Sequence, residues 1–428
     1  MSGLGAGWLL AKTCDVTLYE AEPRLGGHSD TFDWGGAPVD CGFIVFNERT
    51  YPNLAALFAR LGVTTRESDM SFAASIDDGA IEYSGAGLRG LVAQPANLLR
   101  PRYWSMLRDI VRFFREARKD VGREDLGSLE TYLDHGGYGV PFRDWYLYPM
   151  AAAVWSTPSM QVGEYPAEAF IRFSLNHGLL DVFDRPTWRT VIGGSRVYVE
   201  ALAGQLGRAL AGRAAVGVTR TGDGVEVTDA AGETQRYDRV VVATHADQAL
   251  RLIDRPTRSE RDLLGAFQYI RNDATLHTDR RAMPRRRAAW SSWNYMAKGQ
   301  ADGRSLSVTY WMNNLQDLPD RPPVFVSLNP LFEIPGSQVL RRMRFEHPMF
   351  TAATLAAQKR LWSLQGVGDI WFCGAYFGFG FHEDGLQAGL AVAEEIGGVR
   401  RPWSVEGEND RLHFGPGRRA GALLAAAP

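Results

Sequence analysis

The stretch Ser2-Gly3-Leu4-Gly5-Ala6-Gly7-Trp8-Leu9-Leu10-Ala11-Lys12, then Asp15-Val16-Thr17-Leu18-Tyr19-Glu20, then Arg24-Leu25-Gly26-Gly27-His28, decides the fold. It reads as a helix of small residues, a short β-strand ending on an acid, and a glycine loop carrying a base. In a dinucleotide-binding βαβ unit a G-x-G-x-x-G turn opens the helix, whose N-terminus faces a pyrophosphate. An acid about 20 residues further on receives the ribose hydroxyls. With Gly3 as the third glycine, Glu20 is that acid. The first two glycines then fall before Met1, so we expect Met1 to be an internal methionine, preceded by a strand of roughly 5–6 residues and its Gly-x-Gly turn. The competing reading is an ordinary amphipathic helix. Arg24, Gly26 and Gly27 favour the first, because a second cluster of backbone amides beside a base can close over a phosphate-bearing ligand.

Composition bounds the rest. At 428 residues the chain has room for two to three domains of roughly 150 residues each. Apolar residues make up 45% and charged residues 22%, and 47 bases against 49 acids leave a net charge of −2, which excludes a disordered chain and a polybasic nucleic-acid binder. Cys14, Cys41 and Cys373 form no CxxC pair, so neither a disulfide scaffold nor a zinc site is expected, and a reducing compartment is the natural setting. The 8 histidines stand singly, and no metal is expected. No stretch reaches the roughly 20 apolar residues of a membrane span. The protein is expected in the cytoplasm, with peripheral contact on the inner face of the membrane as a further option.

Ser2-Gly3-Leu4, Val16 to Glu20 and Arg24 to Gly27 together resemble the hallmark of the FAD-dependent superfamily of flavin amine oxidases, phytoene desaturases and protoporphyrinogen oxidases. The resemblance implies FAD as cofactor and an α/β fold, with a discontinuous Rossmann-like FAD-binding domain, its first strand truncated, interleaved with an α+β substrate domain of amine oxidase type. The expected boundaries are 1–70, 190–250 and 365–400 for FAD, 71–189 and 251–364 for substrate, and a loose tail over 401–428. It implies cofactor contacts from Ser2, Gly3, Glu20, Arg24, Gly26, Gly27 and His28, and from Gly42 and Phe43 in the strand-like run Val39 to Asn47. Gly194 lies in a Gly193-Gly194-Ser195 turn that starts a helix. Val216 lies where adenine is held, and Ala243 ends the apolar strand Asp238 to His245. The last segment, Asp369 to Gly389, passes through Gly374 and an aromatic loop into a helix whose first turn carries Glu383, Asp384 and Leu386. In the superfamily that turn faces the flavin where negative charge develops. A capped surface helix is the plainer alternative.

Between these segments the texture changes. Tyr51 to Gly62 has the spacing and glycine stop of a helix, and Ser71 to Tyr83 alternates like a hairpin. From Arg100 to Asp120 an apolar stripe at Trp104, Leu107, Ile110, Val111, Phe114 and Ala117 faces away from arginines. It predicts either a core-packed helix with a solvated basic face or a helix lying on anionic lipid. The segments 144–155 and 166–188 are aromatic-rich and predict helical walls of a substrate cavity, or plain core. Strands are predicted over Ala288 to Met296 and Leu306 to Asn313. Arg285-Arg286-Arg287 is a basic loop, solvated or facing a phosphate headgroup.

A flavin fold hosts many reactions. In the amine oxidases the resemblance implies an aromatic cage and a lysine near the flavin. Phe381 stands at one cage-tyrosine position, and none of Lys12, Lys119, Lys298 and Lys359 is placed to serve as that lysine. The wider resemblance, through Val39 to Asn47, Thr309 to Asn313 and Gly380 to Gly385, is to a bacterial subgroup associated with cyclopropane, methyl-branched and furan fatty acid synthesis. It implies hydride removal from an allylic carbon of a methyl-branched phospholipid acyl chain, with a lipid methyltransferase as partner. His382 is the candidate for moving a proton, or a satisfied structural histidine. An amine oxidase of small amines and a non-catalytic flavoprotein partner of a lipid-modifying enzyme remain the alternatives.

Overall fold

The computed structural model describes residues 1–155, 162–176, 178–180, 186–299, 305–318 and 321–415. Helix α1 (Ser2–Leu10) leads into strand β1 (Thr17–Glu20), followed by the hairpin β2 (Thr31–Trp34) and β3 (Ala37–Asp40). Helix α2 (Pro52–Leu61) stops at Gly62, whose φ of 68° lies in the left-handed region that glycine adopts without steric cost. Next come β4 (Thr65–Glu67), β5 (Phe72–Ile76), β6 (Ile81–Ser84), helix α3 (Gly87–Leu91) and helix α4 (Pro101–Ala117). After further helices the chain continues through β7 (Arg189–Val191), β8 (Arg208–Ala211), β9 (Ala215–Thr221), β10 (Gly224–Asp229), β11 (Thr234–Tyr237) and β12 (Val240–Val242). The remaining strands are β13 (Tyr269–His277), β14 (Trp293–Lys298), β15 (Ser305–Trp311), β16 (Phe325–Leu328), β17 (Val339–Pro348) and β18 (Ile370–Phe372), ahead of a helix over His382–Gly397.

Strand pairing shows the interleaving. β1 runs parallel to β8, with Thr17 opposite Arg208, and β12 runs parallel to β18, with Val240 opposite Ile370. Three distant stretches of chain thus meet in two short parallel pairs that form one layer with α1, where a Cβ on Gly3 would lie 3.6 Å from Leu18 Cδ1 and 3.1 Å from Ala243 Cβ. The second layer is a seven-stranded sheet in the order β17-β13-β16-β15-β14-β5-β6. It is antiparallel except where β5 joins β14, so the early hairpin β5–β6 is stitched to a segment far later in sequence, with Phe72 opposite Trp293.

Glycine lets α1 pack tightly. A Cβ on Gly5 would come within 2.6 Å of Leu386 Cδ1, and one on Gly389 would strike Ser2 O at 2.3 Å, so α1 and the helix His382–Gly397 meet through their small residues. Apolar burial does the rest, at about 1.5–3 kcal/mol for each fully buried large side chain. Phe46, Phe58, Tyr198 and Leu386 fill the core beside α1, while Tyr103, Phe113, Phe142 and Phe170 fill a second one beneath β5 and β14.

Several expectations are corrected. Regular pairing ends at Asp40, so Cys41 to Asn47 is not a strand: Phe43 N donates to His28 O at 2.8 Å instead of to a neighbouring strand. Arg287–Ala289 forms a 3-10 turn and the strand starts only at Trp293. Residues 401–415 are no loose tail. Arg401 is fully buried on Glu394, Asn53 and Asn409, and Arg411 reaches Asp384 and Thr50 O; residues 416–428 lie outside the described part. Arg286 pairs with buried Glu82 and Arg287 stacks on Trp290, which explains the basic loop without a phosphate. The buried face of α4 runs through Tyr103, Met106, Asp109, Phe113, Phe114 and Ala117, leaving Trp104 and Val111, both expected on the apolar stripe, at the surface.

Candidate functional site

Between the nucleotide-binding layer and the seven-stranded sheet lies a cavity of about 2540 Å³. Ser2, Gly3, Glu20, Arg24, Gly26, Gly27, His28, Gly42, Phe43, Ala243, Gly374, Phe381 and His382 all line it, so the structure brings most of the sequence-predicted site together. Glycine is required where the wall is thinnest. A Cβ on Gly42 would sit 2.2 Å from His28 O, and one on Gly374 would sit 2.4 Å from Tyr376, so any side chain there displaces the wall. Arg24 fastens the glycine loop from outside: it donates to Gly27 O at 2.8 Å and to Ser29 O at 3.2 Å, and it pairs with buried Asp30 at 3.2 Å. Glu20 ends β1 at the wall and accepts from Glu22 N at 3.0 Å.

Five predicted contacts lie elsewhere. Glu383 is buried and accepts from Asn53 N, Asn53 Nδ2 and Leu54 N at 3.0, 2.8 and 3.0 Å, so it caps the first turn of α2 from a different helix. Asp384, also buried, accepts from Phe379 N, Phe381 N and Arg411 Nη1 at 2.9, 2.7 and 2.7 Å. Leu386 packs into the core against α1. Gly194, at φ +82°, belongs to a turn around buried Asp40, whose Oδ1 accepts from Ser195 N and Oγ at 2.8 Å each and from Thr31 Oγ1 at 2.6 Å. Burial pushes the Asp40 carboxyl up to about 6. The Val216 side chain is exposed, and its neighbours Ala215 and Val218 reach the cavity instead.

His382 is a held residue. Its Nε2 lies 3.0 Å from both Ser29 Oγ and Tyr198 OH, its ring stacks on Phe43 at 3.9 Å, and burial holds its pKa well below the ordinary value. The ring is thus held in its neutral form at the cavity wall by Ser29, Tyr198 and Phe43. Phe381 stacks on Phe173 at 5.1 Å.

A histidine cluster at the wall was not foreseen. The His28 ring centre lies 6.2 Å from His245 and 5.6 Å from His347, all three lining the cavity. Burial lowers all three: His28 falls well below its ordinary value, helped by its two neighbours, and His347 is pushed down to about 4. Asn329 Nδ2 donates to Asn272 Oδ1 at 2.7 Å, which leaves the Asn272 amide to donate to His347 Nδ1 at 2.9 Å and places the His347 proton on Nε2. The one signal in the sequence was the i, i+2 relation of Phe345 and His347, which sets both on the face of β17 that meets His28. Among the described residues no group of three His, Cys, Asp or Glu is arranged to hold a metal ion, and the three cysteines are free.

A glycine-walled cavity at the ends of parallel strands, with an acid closing the first strand, defines a dinucleotide-binding oxidoreductase. Residues 1–324 match the family model described as flavin containing amine oxidoreductase, and the chain belongs to that family. It is an FAD-dependent oxidoreductase, and the wall fits FAD: a Cβ on Gly27 would project into open space at the cavity wall, and Glu20 stands at the place of a ribose-binding acid. Among solved structures it is similar to putrescine oxidase bound to putrescine, at 16% identity over 92% of this chain and 96% of that one, with a TM-score of 0.65. It is also similar to a fatty acid isomerase producing CLA from P. acnes, at 15% identity over 92% and 95%, TM-score 0.63. A third is reduced UDP-galactopyranose mutase, at 14% identity over 97% of each chain, TM-score 0.63. These likenesses establish the fold. No curated protein matches the chain in sequence.

Proposed function

We propose that this oxidoreductase acts on an allylic carbon of a methyl-branched, unsaturated phospholipid acyl chain, converting a monoene to a conjugated diene on the way to a furan fatty acid. The observation that carries the reading is the apolar arm of the cavity. Leu107, Ile110, Val111 and Phe114 of α4 form it with Phe173, Phe379 and Phe381, and no lysine lines any part of the wall. Lys298, the last residue of β14, pairs at the surface with Asp78 at 3.0 Å. An arm of this kind suits a hydrocarbon chain better than a cationic amine, whose ammonium needs an acid or an aromatic cage within reach. The likeness to a fatty acid isomerase supports a fold that accommodates an acyl chain.

Bound FAD supplies a two-electron acceptor, so the substrate loses two hydrogens, one as hydride and one as a proton. The residues of this chain hold the parts in place. The amides opening α1 and the loop Gly26–Gly27 would hold the cofactor phosphates, and Glu20 would receive ribose hydroxyls. Phe173 and Phe381, stacked together, brace the acyl chain and exclude water. Burial keeps His28, His245 and His347 uncharged at the wall. The test is anaerobic incubation of FAD-loaded protein with a methyl-branched unsaturated phospholipid. Bleaching of the flavin and a product two hydrogens lighter are expected. No bleaching, or bleaching by a small amine alone, refutes the reading.

A further inference from the structure

Large apolar side chains are exposed in one place above all. Leu88, Val92, Leu98, Leu99, Trp104 and Val111 come from α3, the turn Pro95–Leu99 and α4, and Leu88 and Leu99 are 82% and 87% exposed. These three elements are pinned into one surface: Tyr103 OH donates to Leu91 O at 2.9 Å and Trp104 Nε1 to Leu98 O at 2.8 Å. On α4 the outward stripe reads Trp104, Arg108, Val111, Arg115, spaced by four, three and four residues, so apolar and basic side chains share one face. Between residues 85 and 118 there are seven arginines and two acids; Arg100, Arg112 and Arg118 donate to backbone carbonyls of the fold, Arg89, Arg102, Arg108 and Arg115 stand exposed, and one of the acids, Asp109, is buried.

We propose that this surface docks on an anionic phospholipid bilayer. The apolar tips enter the headgroup boundary, the tryptophan sits at the interface, and the arginines meet lipid phosphates. A contiguous exposed patch of large apolar side chains marks a binding surface, and the arginine surround selects an anionic partner. Continuity with the site fixes the orientation. Gly85, Ala86 and Gly87, exposed at the start of α3, and Val111 on α4 line the central cavity as well as bordering the patch, so the cavity opens into the surface that meets the lipid. A lipid acyl chain therefore has a route from the bilayer into the apolar arm without crossing water.

Flotation of the FAD-loaded protein with phosphatidylcholine vesicles, with and without phosphatidylglycerol, tests the proposal. Binding is expected only where phosphatidylglycerol is present, and it weakens as salt is added. The variant Leu88→Asp/Leu99→Asp alters two exposed side chains. It is expected to lower vesicle affinity by about tenfold or more while keeping its flavin and its thermal midpoint. Failure of the native protein to float, equal binding to both vesicle types, or undiminished binding of the variant overturns the proposal. So does a concentration-dependent dimer that the variant abolishes, since that assigns the patch to a second copy of the chain. The proposal shares the lipid with the preceding reading, but flotation involves no turnover: a protein that binds vesicles and oxidises no acyl chain refutes only the substrate.

Discussion

Asp384 separates two accounts of the acids at the start of the helix His382–Gly397. In one they face the flavin; in the structure they hold the protein together. Asp384→Asn keeps size and shape but removes the charge. The carboxylate accepts two backbone amides and Arg411, whose side chain is only 5% exposed, so the variant leaves a buried guanidinium without its hydrogen-bonded counter-ion, with only the exposed Asp410 at 3.9 Å beside it. Breaking a buried pair from one side costs about 3–5 kcal/mol, because the remaining charge has lost its water and its partner. Urea unfolding of the FAD-loaded protein is expected to show a loss of that size, with the flavin reduction potential nearly unchanged. Arg411→Met alone should be comparably costly. The double variant should cost at least about 2 kcal/mol less than the two single losses together, since residues sharing one contact are not additive. A single variant within about 1 kcal/mol of the native protein, with a clearly shifted potential, would refute the structural role and return Asp384 to the flavin.

Two further outcomes follow from the geometry. Gly42→Ala places a Cβ 2.2 Å from His28 O, and the strain of about 1–3 kcal/mol expected for such overpacking should appear as weaker FAD binding in a flavin titration; unchanged affinity would show that the loop yields freely. Stability should also fall as pH drops from about 6.5 towards 4, because burial holds His277 and His347 at about 4 in the folded chain, so the unfolded chain binds more protons across that window. Each histidine contributes about 3 kcal/mol at most. Asp40, at about 6, opposes this between about pH 4 and 6 because there the folded chain holds the extra proton. Glu383 and Asp384, also raised by burial, act with Asp40, while His28, His245, His382 and His413, also lowered, act with His277 and His347; the histidines prevail, and equal urea midpoints at about pH 5 and about pH 7 would contradict that balance.

The nucleotide-binding half was legible because its signals are local. Gly3, Glu20 and the Arg24–Gly27 loop are read from spacing alone, and all reach the cavity. Glu383 and Asp384 were misplaced for the opposite reason: an acid in a helix's first turn looks the same whether it serves its own helix, a ligand, or, as Glu383 does, the N-terminus of α2 some 330 residues earlier. Periodicity also misled on α4. A 3.6-residue stripe finds an apolar face but cannot tell it from a second one, and α4 has both, with Tyr103, Met106 and Phe113 inward and Trp104 and Val111 outward. His347 became visible only when β17 brought it beside His28, a pairing that no sequence spacing encodes.

The anchoring of Arg401 and Arg411 has a bearing on biogenesis. Glu383 and Asp384 hold α2 and the aromatic loop, and Arg411 completes that arrangement only after both of those elements have been made. A ribosome therefore releases the N-terminal glycine turn long before the segments that close the cavity around it exist. β1 waits for β8, β12 waits for β18, and the lock at Arg411 comes last. A complete wall therefore waits until Gly374 and His382 have joined Gly3 and Glu20 around the cavity, and until then its apolar side chains stay open to water.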